Sequence, residues 1–184
     1  MKHILLILSF ILIAFSGFAQ SPKEISDADL ARFKQEIQNE AQKLRQQLLK
    51  EDYLSDFEKQ ISIDFQIDTF QIEKLLSKRT SIDYSTYGMT EAAYQAEAEY
   101  DRLLNKYYLL LLKKLDAADR EILKQSQRNW IQYRDSERKF NNTLAKERYS
   151  GGGTIQSVIV ASEYVEITRK RVIEIFHYLT RFYE

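Results

Sequence analysis

Helix breakers are almost absent from this chain. Among its 184 residues there is one proline, Pro22, and five glycines, three of them consecutive at Gly151, Gly152 and Gly153. Leu, Ile, Lys, Glu and Gln are abundant, and apolar residues recur at threes, fours and sevens over long uninterrupted stretches, a pattern that predicts an all-α fold. The clearest stretch is DAADREILKQSQRNWIQYRDSERKFNNTL, from Asp116 to Leu144, which holds the only tryptophan, Trp130. Asp116 is the expected N-cap, and Leu123, Trp130, Tyr133, Phe140 and Leu144 form a stripe expected to face a core. Arg134 and Glu137 stand beside that stripe, where an unpaired charge is costly. With Asp135 they are expected either to form a buried or half-buried ion-pair network, Arg169 or Arg171 being possible partners, or to join Trp130 and Tyr133 in an exposed patch of the kind that anchors partners.

The remaining segments fit around this one. Ser26 reads as an N-cap, and Leu30, Phe33, Ile37, Ala41, Leu44 and Leu48 make an amphipathic helix ending near Lys50, with Gln35, Gln38, Gln42 and Gln46 on its solvated face. From Tyr53 to Arg79 the residues Phe57, Ile61, Phe65, Ile72 and Leu75 keep a helical step. Ile61, Ile63, Phe65 and Ile67 also alternate, but a strand would have no partner in this chain, so a helix is expected. Thr80 to Thr90 reads as a loop. Tyr100, Leu103, Leu104, Tyr107, Leu110, Leu111 and Leu115 then mark a central helix, joined to the Trp130 helix by so short a connection that the two should form an antiparallel hairpin. The glycine run ends that helix, Thr154 is the expected N-cap of the last one, and Val158, Ile159, Val165, Val172, Phe176 and Leu179 should turn to the core as far as about Phe182. The expected architecture is a bundle of four to five helices with an N-terminal helical extension, the last three helices forming its centre.

The first residues carry a separate message. Lys2, an apolar run from Ile4 to Phe15, and small residues at Gly17 and Ala19 read as a secretory signal peptide cleaved after Ala19. The run is shorter than the ~20 apolar residues that span a bilayer, so no stable membrane insertion is expected after cleavage. Without Lys2 the chain has 26 basic and 27 acidic residues, a balance that gives no argument for nucleic acid or an anionic surface. There is no cysteine, although an exported chain could use disulfides, so packing must supply the stability. Only one histidine, His177, follows the expected cleavage site, which makes Ser-His catalysis and a paired Glu-x-x-His metal site poor prospects. No catalytic residue, metal or cofactor is expected.

Leu104-Asn105 with Tyr108, then LKQSQRNWIQYRDSE at 123–137, the Gly151–Gly153 turn, Ile167-Thr168 and Arg171 together resemble the lysozyme inhibitor LprI-like domain of bacterial exported proteins. The resemblance covers roughly residues 88 to 180 and divides the chain into a signal peptide at 1–19, a helical extension at 20–85 and an LprI-like domain at 86–184. It marks Asn105, Tyr108, Gln127, Trp130, Tyr133, Arg134, Asp135, Glu137 and Arg171 as family motif residues, serving as framework or binding surface. Members commonly carry two cysteines at places held here by Arg138 and Glu163, which would set an opposite-charge pair in the position of a disulfide. Such a pair contributes ~0–1 kcal/mol against ~2–4 for the covalent link.

The resemblance implies a non-enzymatic periplasmic or secreted protein that binds a protein partner, with inhibition of a lysozyme-type glycosidase as the specific version. A structural or assembly role in the cell envelope is the alternative. Because such a glycosidase works through carboxyl groups in a cleft, the expected contact is a cationic loop: Lys146, Arg148, Gly151, Gly152, Gly153 and Thr154. The oligomeric state is left open by the sequence.

Overall fold

The computed structural model describes residues 21–53 and 55–182, so the expected signal peptide lies outside the described residues. The described chain forms six helices: α1 (Asp27–Leu48), α2 (Asp56–Ile82), α3 (Thr86–Lys114), α4 (Ala117–Leu144), α5 (Glu147–Ser150) and α6 (Ile155–Leu179). The starts are written in the sequence. Ser26 and Asp29 close a reciprocal capping box, and Ser55, Ser85 and Asp116 each accept a hydrogen bond from the backbone amide three residues on.

The main core lies between α3 and α6. Tyr100, Leu103, Leu104, Tyr107 and Leu111 of α3 meet Ala161, Val165, Val172, Ile175 and Leu179 of α6, all buried. These two helices run parallel. Thr90 meets Ser157 at one end, Glu97 meets Thr168 in the middle, and the Tyr107 ring sits edge-on to Phe176 at the other. The centre is therefore α3 with α6, backed by α2, and not the last three helices together.

The alternation of Ile61, Ile63, Phe65 and Ile67 comes from a helix buried on two faces. Ile61, Phe65, Ile72 and Leu76 pack into the main core, with the Phe65 and Phe176 rings stacked 3.9 Å apart. Ile63, Ile67 and Phe70 pack on the other side with Ala41, Leu44 and Leu48 of α1. A helix two residues out of phase with itself looks strand-like over a short window. α1 is the outermost layer, tied to α2 by Lys78–Glu36, Lys74–Glu40 and Arg45–Asp64 pairs.

Two expectations about connections need correction. Residues 80–90 are not a loop: α2 continues to Ile82 and α3 begins at Thr86, leaving a tight corner of Asp83, Tyr84 and Ser85. Here the polar residues serve as caps. Asp83 is buried, and its Oδ1 accepts the Ser85 amide at 3.0 Å, while the Ser85 hydroxyl accepts the Gly88 amide at 3.0 Å. Burial pushes the Asp83 carboxyl upward, but the hydrogen bonds from Ser85 and the nearby Lys23 hold it below its ordinary value. Thr154 occupies the N-cap position of α6 but makes no side-chain cap; it is already in helical backbone conformation, and the Ser157 hydroxyl bonds its carbonyl oxygen at 2.8 Å.

At Gly88 the corner leaves no room for a side chain, because a Cβ there would lie 2.6 Å from the Asp83 carbonyl oxygen. Gly88→Ala is expected to lower stability by about 1–3 kcal/mol in chemical denaturation, with helix content retained. An unchanged midpoint would mean that the corner relaxes freely.

Candidate functional site

α4 runs antiparallel to α3, as the short connection implies, but it is held in an unusual way. Leu123 is its one buried residue among those described. Tyr133, Phe140 and Leu144 do not face a core; they are exposed, and only Trp130 of the remaining stripe packs partly against the main cluster. What attaches α4 is charge. Arg138 pairs with Glu97 of α3, and Arg134 reaches Asp101 of α3 at 3.7 Å and its own neighbour Asp135 at 2.9 Å. At the helix start, the Arg120 Nε donates to the Leu112 and Leu115 carbonyl oxygens at 2.8 and 2.9 Å.

A second set of contacts fastens α4 to α6. Arg171 is 4% exposed, and its guanidinium donates to three acceptors: Gln127 Oε1 at 3.1 Å, Ser126 Oγ at 3.2 Å and Glu174 Oε2 at 2.7 Å. Its Cζ lies 5.9 Å from the Trp130 ring, and that of Arg134 lies 5.3 Å from the same ring, so the indole is flanked by two guanidinium groups. Further along, Arg138 stacks on the Tyr164 ring at 4.7 Å, and the Asn142 amide donates to the Tyr164 hydroxyl at 2.6 Å. The Thr168 hydroxyl, fully buried, donates to Glu97 at 3.4 Å and joins the two sets.

Six of the nine motif residues, Tyr108, Gln127, Trp130, Arg134, Asp135 and Arg171, make contacts within the bundle. Gln127, Trp130, Arg134 and Arg171 meet; Asp135 serves Arg134; Tyr108 packs partly on the main core. Asn105, Tyr133 and Asp135 are exposed, and Glu137 is half-buried with no partner among the described residues. Three corrections follow. Arg134 pairs with Asp135 and Asp101, and neither Arg171 nor Arg169 joins that ion-pair network: Arg171 meets Ser126, Gln127 and Glu174, and Arg169 is engaged with Glu166 in its own helix. Arg138 does not pair with Glu163, which is exposed, because Glu97 stands nearer on α3. Phe140 and Leu144 belong to the surface. Glu97 and Asp101 carry no signal in the sequence motifs, and Thr168 enters only through the family resemblance. Outside the motifs a signal existed: acids four apart on one arm of a hairpin and arginines four apart on the other, at positions that match across the turn.

Between α4 and α6, Trp130, Tyr133, Ile167, Lys170, Arg171 and Glu174 line an open depression of about 390 Å³. Arg171 and the Tyr178 hydroxyl occupy both oxygens of Glu174 and, against the upward push of burial, hold its carboxyl below the ordinary 4.5. His177, one turn on from Glu174, is exposed, and no group of three His, Asp or Glu side chains among the described residues could hold a metal ion.

At the far end of α4 the predicted contact loop takes a definite form. Lys146 is the N-cap residue of α5, Arg148 stacks on Tyr149 at 4.6 Å, and both cations are exposed. Gly151, Gly152 and Gly153 have φ of 77°, 78° and 89°, a left-handed run that only glycine adopts without strain. Thr90 and Ser157 bond at 3.0 Å beneath this loop, which brings the exposed Tyr87 and Tyr94 of α3 to the same end.

A family model described as Lysozyme inhibitor LprI matches residues 77–175, 99 of the 184 residues, and the chain belongs to this family. The match runs from the end of α2 through α3, α4 and α5 and into α6 as far as Ile175. No curated protein and no solved structure matches the chain.

Two outcomes test the fastening of α4. Arg171→Ala should cost about 2–3 kcal/mol, since it removes three hydrogen bonds and the packing on Trp130, and Arg171→Lys should not restore it. Stability should also fall with acid: the Glu174 pKa is lower in the folded chain, so its contribution is full above its ordinary 4.5 and is lost as pH drops through the folded value. Denaturation of Glu174→Gln between pH 5 and about 3 should show a shallower decline than the parent.

Proposed function

We propose that this member of the LprI family is an exported, non-enzymatic protein that inhibits a lysozyme-type glycosidase by binding across its cleft. The family match over residues 77–175 carries the reading, since the family is described as one of lysozyme inhibitors. The reading of export rests on Lys2, the Ile4–Phe15 run and Ala19, and it places the protein in the periplasm or outside the cell, where such an enzyme acts. No described helix is long and apolar enough to cross a membrane.

The tip formed by α5 and the glycine turn has the chemistry for the task. Glycosidases of this type work through two carboxyl groups that flank the scissile bond. An occluding element should be narrow, positively charged and supported from behind. Three glycines without Cβ make a thin projection; Lys146 and Arg148 supply charge of the right sign; Tyr149 adds an exposed ring. Complementary charge of this kind acts mainly on the rate of encounter and on partner choice. Gln127, Trp130, Arg134 and Arg171 then work behind the contact, holding the two helices from which the tip projects.

Inhibition of hen-type and goose-type lysozymes by the purified mature chain, measured with and without Lys146→Glu and Arg148→Glu together, tests the reading. The double substitution should weaken inhibition at least about tenfold. Undiminished inhibition would move the contact away from this tip, and no inhibition by the parent of either enzyme would remove the glycosidase from the reading.

A further inference from the structure

The open depression of about 390 Å³ between α4 and α6 carries groups that the fastening of the two helices leaves over. Its volume is that of a site for one small molecule. Trp130 and Tyr133 line it from α4, and Ile167, Lys170, Arg171 and Glu174 from α6. Arg171, 4% exposed, is fixed by Gln127, Ser126 and Glu174, so the back of the depression is rigid.

The groups left over are donors. With Arg134 and Arg171 against its ring, Trp130 offers its edge, and the indole N–H has no acceptor among the described residues and is not shut off from solvent. An indole can only donate. Lys170 is exposed and makes no hydrogen bond or ion pair among the described residues, which leaves an ammonium with three donors. The Tyr133 hydroxyl is likewise unpartnered, on a ring that is 55% exposed. The one carboxylate of the lining is already filled: Arg171 and Tyr178 donate to the two Glu174 oxygens at 2.7 and 2.6 Å. Arg171 and Glu174 neutralise each other, so Lys170 leaves the lining with one positive charge in excess. Two acids stand near by, Glu137 one turn beyond Tyr133 and Glu163 two turns before Lys170, and neither lines the depression.

We propose that this depression binds an acidic sugar, with its carboxylate on Lys170 and the Trp130 indole N–H and one face of its ring against Tyr133. Unfilled donors beside an excess positive charge select a carboxylate, because charge-assisted hydrogen bonds are the strongest these groups can make. The body that carries the carboxylate must itself be hydroxylated. Ile167 is the one aliphatic side chain of the lining, and an oily acid would cover the Tyr133 hydroxyl without giving it a partner. A pyranose offers oxygens around its edge and C–H groups on its face, which suits an aromatic ring with a polar end. About 16 Å of α4 separate Tyr133 from Leu144, beyond which the tip at 146–154 begins, so the sugar site and the glycosidase reading stand or fall separately.

The single tryptophan makes the site its own reporter. Glucuronate titrated into the full mature chain should move the one indole N–H resonance in nitrogen–proton spectra and change the tryptophan fluorescence, with a dissociation constant below about 1 mM at low salt. Glucose, which lacks the charge, and acetate, which lacks the ring, should each bind at least about tenfold more weakly. Lys170→Gln should weaken glucuronate binding at least about tenfold, with an unfolding midpoint equal to the parent's, because Lys170 makes no bond within the described bundle. Glucose binding as tightly as glucuronate would overturn the carboxylate, and acetate doing so would overturn the sugar. An indole resonance unmoved at about 20 mM glucuronate, or undiminished binding by Lys170→Gln, would overturn the site itself.

Discussion

The close parallel packing of α3 and α6 is the constraint on which the rest of the structure depends. Ala93 and Ala96 on one helix and Ala161 and Thr168 on the other are buried and small, which lets the two backbones approach, while Tyr100, Tyr107, Val172, Ile175 and Leu179 fill the remainder of the core. Parallel neighbours cannot be joined by a short turn. The chain must travel back along the bundle before α6 can begin, and the 28 residues of α4, about 42 Å at 1.5 Å per residue, are that return. Its length follows from the helices it connects rather than from a core of its own.

A return helix laid on the outside of a finished core has little apolar surface left to bury. In this protein it is fastened by arginines instead. Arg134 and Arg138 reach α3, while Arg171 reaches back from α6 to Ser126 and Gln127, and Trp130 lies between the guanidinium groups. Half-buried ion pairs add modest stability, but their geometry is directional. They fix the register of α4 against its neighbours, where an apolar contact would tolerate a slip of one turn. This explains why the most recognisable segment of the chain, QRNWIQYRDSE, contains more charge than hydrophobicity: it encodes a docking geometry. The surfaces that this fastening leaves free are the glycine tip beyond the C-terminal end of α4 and the exposed side chains of Ile122, Tyr133, Phe140 and Leu144.

The satellite cluster between α1 and α2 follows a different logic. Phe33, Ile37, Ala41 and Leu48 are buried on the inner side of α1, and its glutamines face solvent. α2 is buried toward both α1 and the main core, so it transmits order from the family-matched region to the N-terminal layer.

Much of this was legible in the residues. The scarcity of proline and glycine, the caps at Ser26 and Asp116, the rows in α1 and α3 and the glycine run at 151–153 specify helices, their starts and their breaks, because caps, breakers and 3.6-residue periodicity act within a few residues of chain. The docking segment around Trp130 was legible as a segment too. Its partners were not: a stripe containing Tyr133, Phe140 and Leu144 has the period of a core face whether or not anything packs on it, and Arg138 has acids available at both Glu97 and Glu163. Which acid it meets depends on where α3 lies, and whether the stripe is covered depends on how much surface α6 has already taken. Periodicity and capping are local properties that the chain alone determines; the burial of α4, its arginine partners and the exposure of its apolar face are set by the parallel packing of α3 on α6, which exists only in the tertiary structure.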